Sequence, residues 1–107
     1  MNDKKVNSYL GLCKKAGRIA SGEFQTLKAI QSGMTNLVII AEDASNNTKK
    51  KFNDKCSYYN VDIKFYGDKL SLGTAIGTGE RTSIAIMDDG FTNLIKNRLG
   101  EIGHDVI

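Results

Sequence analysis

The residue types that carry catalysis are scarce in this chain. Its one histidine, His104, stands close to the end of the sequence, where chain ends fray, so no Ser/His/Asp relay can be assembled around it. Two carboxylate pairs, Glu42-Asp43 and Asp88-Asp89, each follow an apolar run. Acid–base work would need them in a cleft with displaced pKa values. Carboxylates at helix N-termini instead complement the helix dipole without further chemistry, which suits Asp88-Asp89 best. Cys13 and Cys56 are far apart, each within a helical apolar pattern, and no CxxC pair exists. A zinc site takes about four Cys, His or carboxylate ligands. The two thiols therefore read as reduced core residues, and no metal or cofactor is expected.

Two stretches could grip an anion. The first, Gly73-Thr74-Ala75-Ile76-Gly77-Thr78-Gly79-Glu80-Arg81-Thr82, superficially looks like a phosphate loop. A Walker loop, however, links a strand to a helix and ends in Gly-Lys-Ser/Thr. Here the glycines follow a helix and precede a strand, with no Gly-Lys pair, so nucleotide hydrolysis is not indicated. Gly77 suits a helix C-cap and Gly79 a turn, and such a loop lets backbone N–H groups approach a phosphate or base. The second stretch is Ser21-Gly22-Glu23-Phe24-Gln25-Thr26-Leu27-Lys28. A helix N-terminus there offers unpaired N–H groups to an anion. Gln25 can pair with a base edge and Lys28, about one turn on, can neutralise a phosphate. Taken alone, the same residues fit an ordinary amphipathic helix start with a solvated lysine, and Lys49-Lys50-Lys51 fits a solvated helix face.

The elements that must position these groups alternate along the chain. With 107 residues, a 40% hydrophobic and 25% charged composition and no proline, the sequence suits one globular domain over 1–107. Val6, Tyr9, Leu10 and Cys13 fall at helical spacing within residues 3–15, and Gly17 stops that helix. A short strand over 18–21 leads to a helix over 23–32 carrying Phe24, Leu27 and Ile30, with Gly33 as the stop. Leu37-Val38-Ile39-Ile40-Ala41 is an uninterrupted apolar run, as expected of a strand covered on both faces. Residues 42–47 are rich in N-cap candidates, and Thr48 to Tyr59 shows Phe52, Cys56 and Tyr59 along one side of a helix. Val61 to Phe65 alternates as a half-buried strand. Asp68 caps a short helix through Ala75, Ser83 to Met87 is a strand, and Asp88 or Asp89 starts a last helix. That helix carries Phe91, Leu94, Ile95 and Leu99 and is expected to end at Gly100, leaving 100–107 as a flexible tail. The order α-β-α-β-α-β-α-β-α predicts an α/β fold, a three-layer α/β/α sandwich around a four-stranded mixed sheet.

Charge is distributed unevenly. Residues 1–55 hold ten Lys and Arg against five Asp and Glu, whereas residues 56–107 hold five against seven. A basic half beside an acidic one suggests a face meant for a polyanion. The turns before residue 22, after residue 41 and before residue 82 plausibly share one end of the sheet. They would gather Gly22, Gln25, Lys28, Glu42, Asp43, Gly79 and Arg81 around one spot. The N-terminus has no signal-type apolar region, and no run approaches the ~18 apolar residues of a membrane span. A soluble cytoplasmic protein is expected.

The motifs Gly22-x-x-Gln25-x-x-Lys28-Ala29-Ile30, Gly33 and Leu37-Val38-Ile39-Ile40-Ala41-Glu42-Asp43 together resemble the kink-turn-binding ribosomal protein superfamily, the "L-seven-Ae" type. Leu72-Gly73-Thr74-Ala75-Ile76-Gly77, a short loop and the strand at Ser83 match its C-terminal half. Lys14-Lys15-Ala16-Gly17-Arg18 and Asp43-Ala44-Ser45-x-Asn47-Thr48-Lys49-Lys50-Lys51 look like its short bacterial, YlxQ-like branch. The resemblance covers about residues 5–90. It implies a three-layer fold, no cofactor, no enzyme activity, and binding of a kink-turn or similar structured RNA by a ribosome-associated, monomeric protein. In the superfamily pattern Gly-x-Asn-Glu-x-x-Lys, the Asn and Glu read guanines and the Lys meets the backbone. Gly22 and Lys28 match; Gln25 stands in place of Glu and Phe24 in place of Asn. The implied RNA contacts are Gly22, Glu23, Phe24, Gln25, Lys28, Glu42, Asp43, Gly79, Glu80, Arg81 and Thr82. Lys14, Lys15, Arg18, Lys49, Lys50 and Lys51 would add longer-range attraction. The alternatives are a protein-interaction adaptor with weak or lost RNA affinity, using Phe24, Leu72 and Ile76 as an apolar surface, and a small nucleotide-binding enzyme.

Overall fold

The computed structural model describes residues 2–103. Over these residues α1 (Lys4–Lys15), β1 (Ile19–Ser21), α2 (Glu23–Gln31), β2 (Leu37–Ile40), α3 (Asn46–Tyr59), β3 (Asp62–Phe65), α4 (Lys69–Ala75), β4 (Ser83–Ile86) and α5 (Asp89–Glu101) follow one another. The strands form one sheet in the order β1-β4-β2-β3. β4 runs antiparallel to both β1 and β2, while β3 is parallel to β2. A parallel neighbour needs a crossover connection, and α3 supplies it. The consequence is directional: β1, β2 and β3 finish, and β4 begins, at the same end of the sheet.

Period-two alternation sends successive side chains to opposite faces, and the sheet separates two cores. Leu37, Ile39, Ile84 and Ile86 face Val6, Leu10 and Cys13 of α1, Leu72 of α4 with the adjoining Ile76, and Ile95 and Leu99 of α5. Val38, Ile40 and Ala85 face Ala29 and Ile30 of α2 and Phe52 and Cys56 of α3. The fold is the three-layer α/β/α sandwich expected. Both cysteines are free and buried, and burial pushes each thiol up to about 11, so neither is a reactive thiolate at neutral pH. His104 lies outside the described residues. No group of His, Cys, Asp or Glu among the described residues is arranged to hold a metal. No helix among them is long and apolar enough to cross a membrane.

Caps set the helix limits. Asp3, Ser45 and Asp88 accept bonds from the Val6, Thr48 and Phe91 amides, and Asp68 forms a reciprocal capping box with Ser71. Three expectations need correction. α5 runs through Gly100 to Glu101, and the left-handed φ of 76° falls on Gly103 instead. A glycine inside a helix costs only ~1 kcal/mol, whereas a positive φ strongly selects it. The C-terminal stretch expected to be flexible thus begins as helix, and residues 104–107 lie outside the described residues. Tyr59 and Leu94 are solvent-exposed, because α3 buries Phe52 and Cys56, and α5 buries Thr92, Ile95 and Leu99. Leu72 and Ile76 are buried, so they cannot form the apolar contact surface of an adaptor.

The N-terminus is tied down by charge. Arg98 donates Nε and Nη2 to the two Asp3 carboxylate oxygens at 3.1 and 3.0 Å. The Tyr66 hydroxyl, buried beyond β3, accepts from the Asp3 amide at 2.6 Å and donates to Asn7 Oδ1 at 2.8 Å. The Arg98 bond, with the Val6 amide, holds the Asp3 carboxyl below its ordinary 3.8. A depressed folded pKa contributes stability that is present above the unfolded value and disappears as pH falls through the folded one. Thermal midpoints followed from about pH 5 down to about pH 2 should therefore fall further in the wild type than in Arg98→Ala. Equal losses in the two proteins would remove Asp3 from the acid response.

Candidate nucleic-acid interface

Two main-chain bonds fix where the chain enters β4. The Gly22 amide donates to the Ser83 carbonyl at 3.0 Å and the Ala41 amide to the Thr82 carbonyl at 2.9 Å. Gly22 has φ 89° and ψ 159°, a conformation open to glycine and strained for other residues, and it turns the chain from β1 straight into α2. The turn after β2 is bound in the same way: the Glu42 amide donates to the Gly67 carbonyl at 2.8 Å. Asp43 accepts from the Lys69 amide at 3.0 Å, so its carboxylate secures the start of α4. Arg81 closes the circle. Its amide donates to the Lys69 carbonyl at 3.0 Å, its Nε to Ser21 Oγ at 3.1 Å and its Nη1 to the Glu80 carbonyl at 2.9 Å.

Between these turns lies a cavity of about 210 Å³. Gly22, Glu23, Glu80, Arg81 and Thr82 line it, joined by Thr48, Phe52 and Ser83. Phe52 is wholly buried and forms an apolar floor. The hydroxyl of Ser83 is buried without a hydrogen-bond partner, as is that of Thr26 on the adjoining helix. A buried polar group left unpaired costs about 1–3 kcal/mol, and both hydroxyls lie beneath the surface. A longer open cleft of about 460 Å³ runs beside it, between the free edge of β1 and α2, lined by Ser21, Gln25, Lys28 and Lys14 among others. Ser21 lines this cleft while accepting from Arg81 of the cavity, so one side-chain contact links the walls of the two depressions.

The expected residues divide accordingly. Gly22, Glu23, Glu80, Arg81 and Thr82 meet in the cavity; Gln25 and Lys28 lie in the cleft; Glu42 and Asp43 stand exposed on the adjoining turn. Phe24 projects with 73% of its surface exposed. The loop through Gly79 is folded hard against α4, since a Cβ on Gly73 would come within 2.1 Å of the Gly79 carbonyl oxygen. The outlying cations are less uniform. Lys51 bonds Glu23 at 3.2 Å across the cavity and Lys50 bonds Asp54 at 2.8 Å, so two of the three consecutive lysines are already paired. Lys14 borders the cleft, Lys15 faces α4, and Arg18 lies at the far end of the sheet beside Asn36 and Asp88. Thr48, Lys69 and Ser83 are not among the expected site residues, and Ser21 is expected only as part of the stretch 21–28, without a role of its own. Ser83 carried a signal, as the one polar residue in the buried run Ser83-Ile84-Ala85-Ile86.

A family model, described as the ribosomal protein L7Ae/L30e/S12e/Gadd45 family, matches residues 4–95. The chain belongs to this family. It is 43% identical over 84 residues to the RNA-binding protein YlxQ of Bacillus subtilis, covering 78% of this chain and 84% of that one. Identity to the RNA-binding protein YlxQ of Enterococcus faecium is 36% over 95 residues, covering 89% and 91% of the two chains. Among solved structures, a Bacillus halodurans protein of unknown function superposes with a TM-score of 0.87 at 40% identity, over 92% of this chain and 99% of that one. The YlxQ-like branch of the family is therefore where this sequence sits, and the fold is shared with the Bacillus halodurans protein.

Because Gly73 is the one position at which α4 can accept the returning loop, Gly73→Ala should cost about 1–3 kcal/mol, as overpacking does. The Arg81 amide and side-chain resonances should move with the loop. Urea denaturation beside a two-dimensional NMR spectrum checks both, and an unchanged loop spectrum would show that the contact is not what holds Arg81.

Proposed function

We propose that this chain is a non-catalytic, ribosome-associated RNA-binding protein that grips a kink-turn or a similarly bent element with the end of the sheet where β4 begins. One observation carries the reading: the Arg81–Ser21 bond joins the loop before β4 to the cleft that holds Gln25 and Lys28. Family membership and the RNA-binding names of the YlxQ relatives support it. Specific RNA recognition works on unstacked bases that can be splayed out, stacked on aromatic rings and hydrogen-bonded at their edges. The cavity lined by Gly22, Glu80, Arg81 and Thr82 has room for one such base. Gln25 reads a second base, and the exposed ring of Phe24 stacks where the superfamily pattern has an asparagine. Lys28 and Arg81 meet phosphates, while Glu42 and Asp43 accept from base N–H groups. The protein acts as a monomer in the cytoplasm, with the paired Lys50 and Lys51 adding less attraction than bare counts of charge imply.

An adaptor without RNA affinity is disfavoured, since two of the three side chains it would use are buried. Fluorescence titration of a kink-turn RNA and a plain duplex at two salt concentrations tests the proposal. The kink-turn should bind more tightly, and equal affinities would defeat the specific claim. Lys28→Ala should weaken both RNAs and lower the salt slope by about one. Phe24→Ala should cost about 1–3 kcal/mol on the kink-turn alone if its ring stacks on a base.

A further inference from the structure

The outer face formed by α1 and α4 has features that the RNA-gripping end does not use. A groove of about 480 Å³ runs between them, bordered by Ser8, Leu12 and Lys15 of α1 and by Thr74 and Ala75 of α4. It exists because Gly11 lets the helices approach: a Cβ there would stand 3.0 Å from the Ala75 carbonyl oxygen. Leu12 keeps 53% of its surface in solvent although its neighbours on α1, Leu10 and Cys13, are buried. Every charged residue lining the groove is a lysine, Lys14 and Lys15. Lys4 and Lys5 extend the positive charge along the same helix, and none of the four has an ion-pair partner among the described residues. The adjoining acid, Asp3, is held by Arg98.

We propose that this α1/α4 groove docks the apolar side of an acidic amphipathic helix from a protein partner. A groove between two helices with an aliphatic floor suits side chains at i, i+3, i+4 and i+7 of a third helix. Acidic residues on the flanks of that helix complement the lysines on the rim. The observations favour this occupant over two others. A second copy of the chain would set lysines against lysines. A single-stranded nucleic acid would find no aromatic platform, since Leu12 and Ala75 supply the apolar surface and base stacking needs a ring. The groove lies on the sheet face opposite α2 and α3, and it shares Lys14 with the cleft beside β1. The proposal stands independently of the RNA reading.

The test is an NMR titration of the nitrogen-15-labelled protein with a synthetic peptide bearing leucines at i, i+3, i+4 and i+7 and glutamates elsewhere. Saturable shifts confined to Ser8, Leu12, Lys15, Thr74 and Ala75 are expected, weakening as salt is raised. Leu12→Glu should reduce peptide affinity by about tenfold or more and leave RNA affinity unchanged. Ser8→Glu, also at a solvent-exposed position, should act in the same direction should Leu12→Glu fail to fold. No saturable binding, equal binding of a scrambled peptide, or equal binding by both variants would overturn the proposal. So would a structured RNA that shifts these residues in place of the peptide. No peptide binding by the wild-type protein, with its kink-turn binding intact, would sink this inference alone.

Discussion

The antiparallel insertion of β4 between β1 and β2 is the constraint on which the rest depends. Ser83 to Ile86 is buried along its whole length, and its register is fixed by packing on both faces. A slip of one residue would exchange Ile84 and Ile86 with Ser83 and Ala85 between the two cores. The layer under α1, α4 and α5 would then lose two isoleucines, while the tighter layer under α2 and α3 would be overfilled. Register in turn decides which main-chain groups face each other at the strand ends. Thr82 and Ser83 offer their carbonyls to the first residues after β2 and β1. The meeting of three turns is thus a consequence of core packing and requires no affinity of the turns for one another.

That arrangement also explains why the loop carrying Arg81 can be short and still well placed. It is held at its start by contact between Gly73 and Gly79, in its middle by the Arg81 amide on Lys69, and at its end by β4. Each neutral hydrogen bond contributes only about 0.5–1.5 kcal/mol, but the three restraints act on one loop of few residues. Little conformational entropy remains to be lost when a ligand arrives. The electrostatics are short-ranged by comparison. Glu23 beside Lys51, and Glu42 and Asp43 on the next turn, cancel much of the positive field that the charge count of residues 1–55 suggests. On the proposed reading, attraction to a polyanion at this end depends on individual contacts at Lys28 and Arg81 more than on net charge.

Much of this architecture was legible in the sequence, for identifiable reasons. Helical spacing, cap residues and the apolar runs at 37–41 and 83–87 are local signals, and each marked an element within a residue or two. The placement of Gly22 and Arg81 together was also accessible, because strand alternation limits which turns can share an end. What failed was whatever depends on the third dimension. Leu94 matches the apolar pattern of its helix, yet Thr92, Ile95 and Leu99 are the residues that α5 buries. Arg18 is near Gly22 in the chain, but the three residues of β1 carry it to the opposite end. Ser21 and Ser83 are unremarkable as letters. Their importance comes from the Arg81 bond in one case and from a buried, unpaired hydroxyl in the other, and neither has a periodicity to betray it. Gly100 shows the converse: a strong stop signal is overridden when packing of Ile95 and Leu99 continues the helix and a better-placed glycine follows.

Among the described large hydrophobic side chains only Tyr58 is more exposed than Phe24, and that bears on how the site would read RNA. α2 buries Thr26, Ala29 and Ile30; the ring of Phe24 adds nothing to either core, and its exposure forgoes most of the benefit of burying an aromatic side chain. An asparagine at this position would address one base edge through donors and acceptors of fixed geometry, and so would discriminate between bases. A phenyl ring stacks on any base, because every base has a π face. With Gln25 retaining an acceptor and adding donors beside it, the pair shifts the balance from base identity toward base exposure. On the proposed reading, selectivity then comes from the bend that presents an unstacked base to the cavity over Phe52, and the sequence at the bend becomes secondary to its shape.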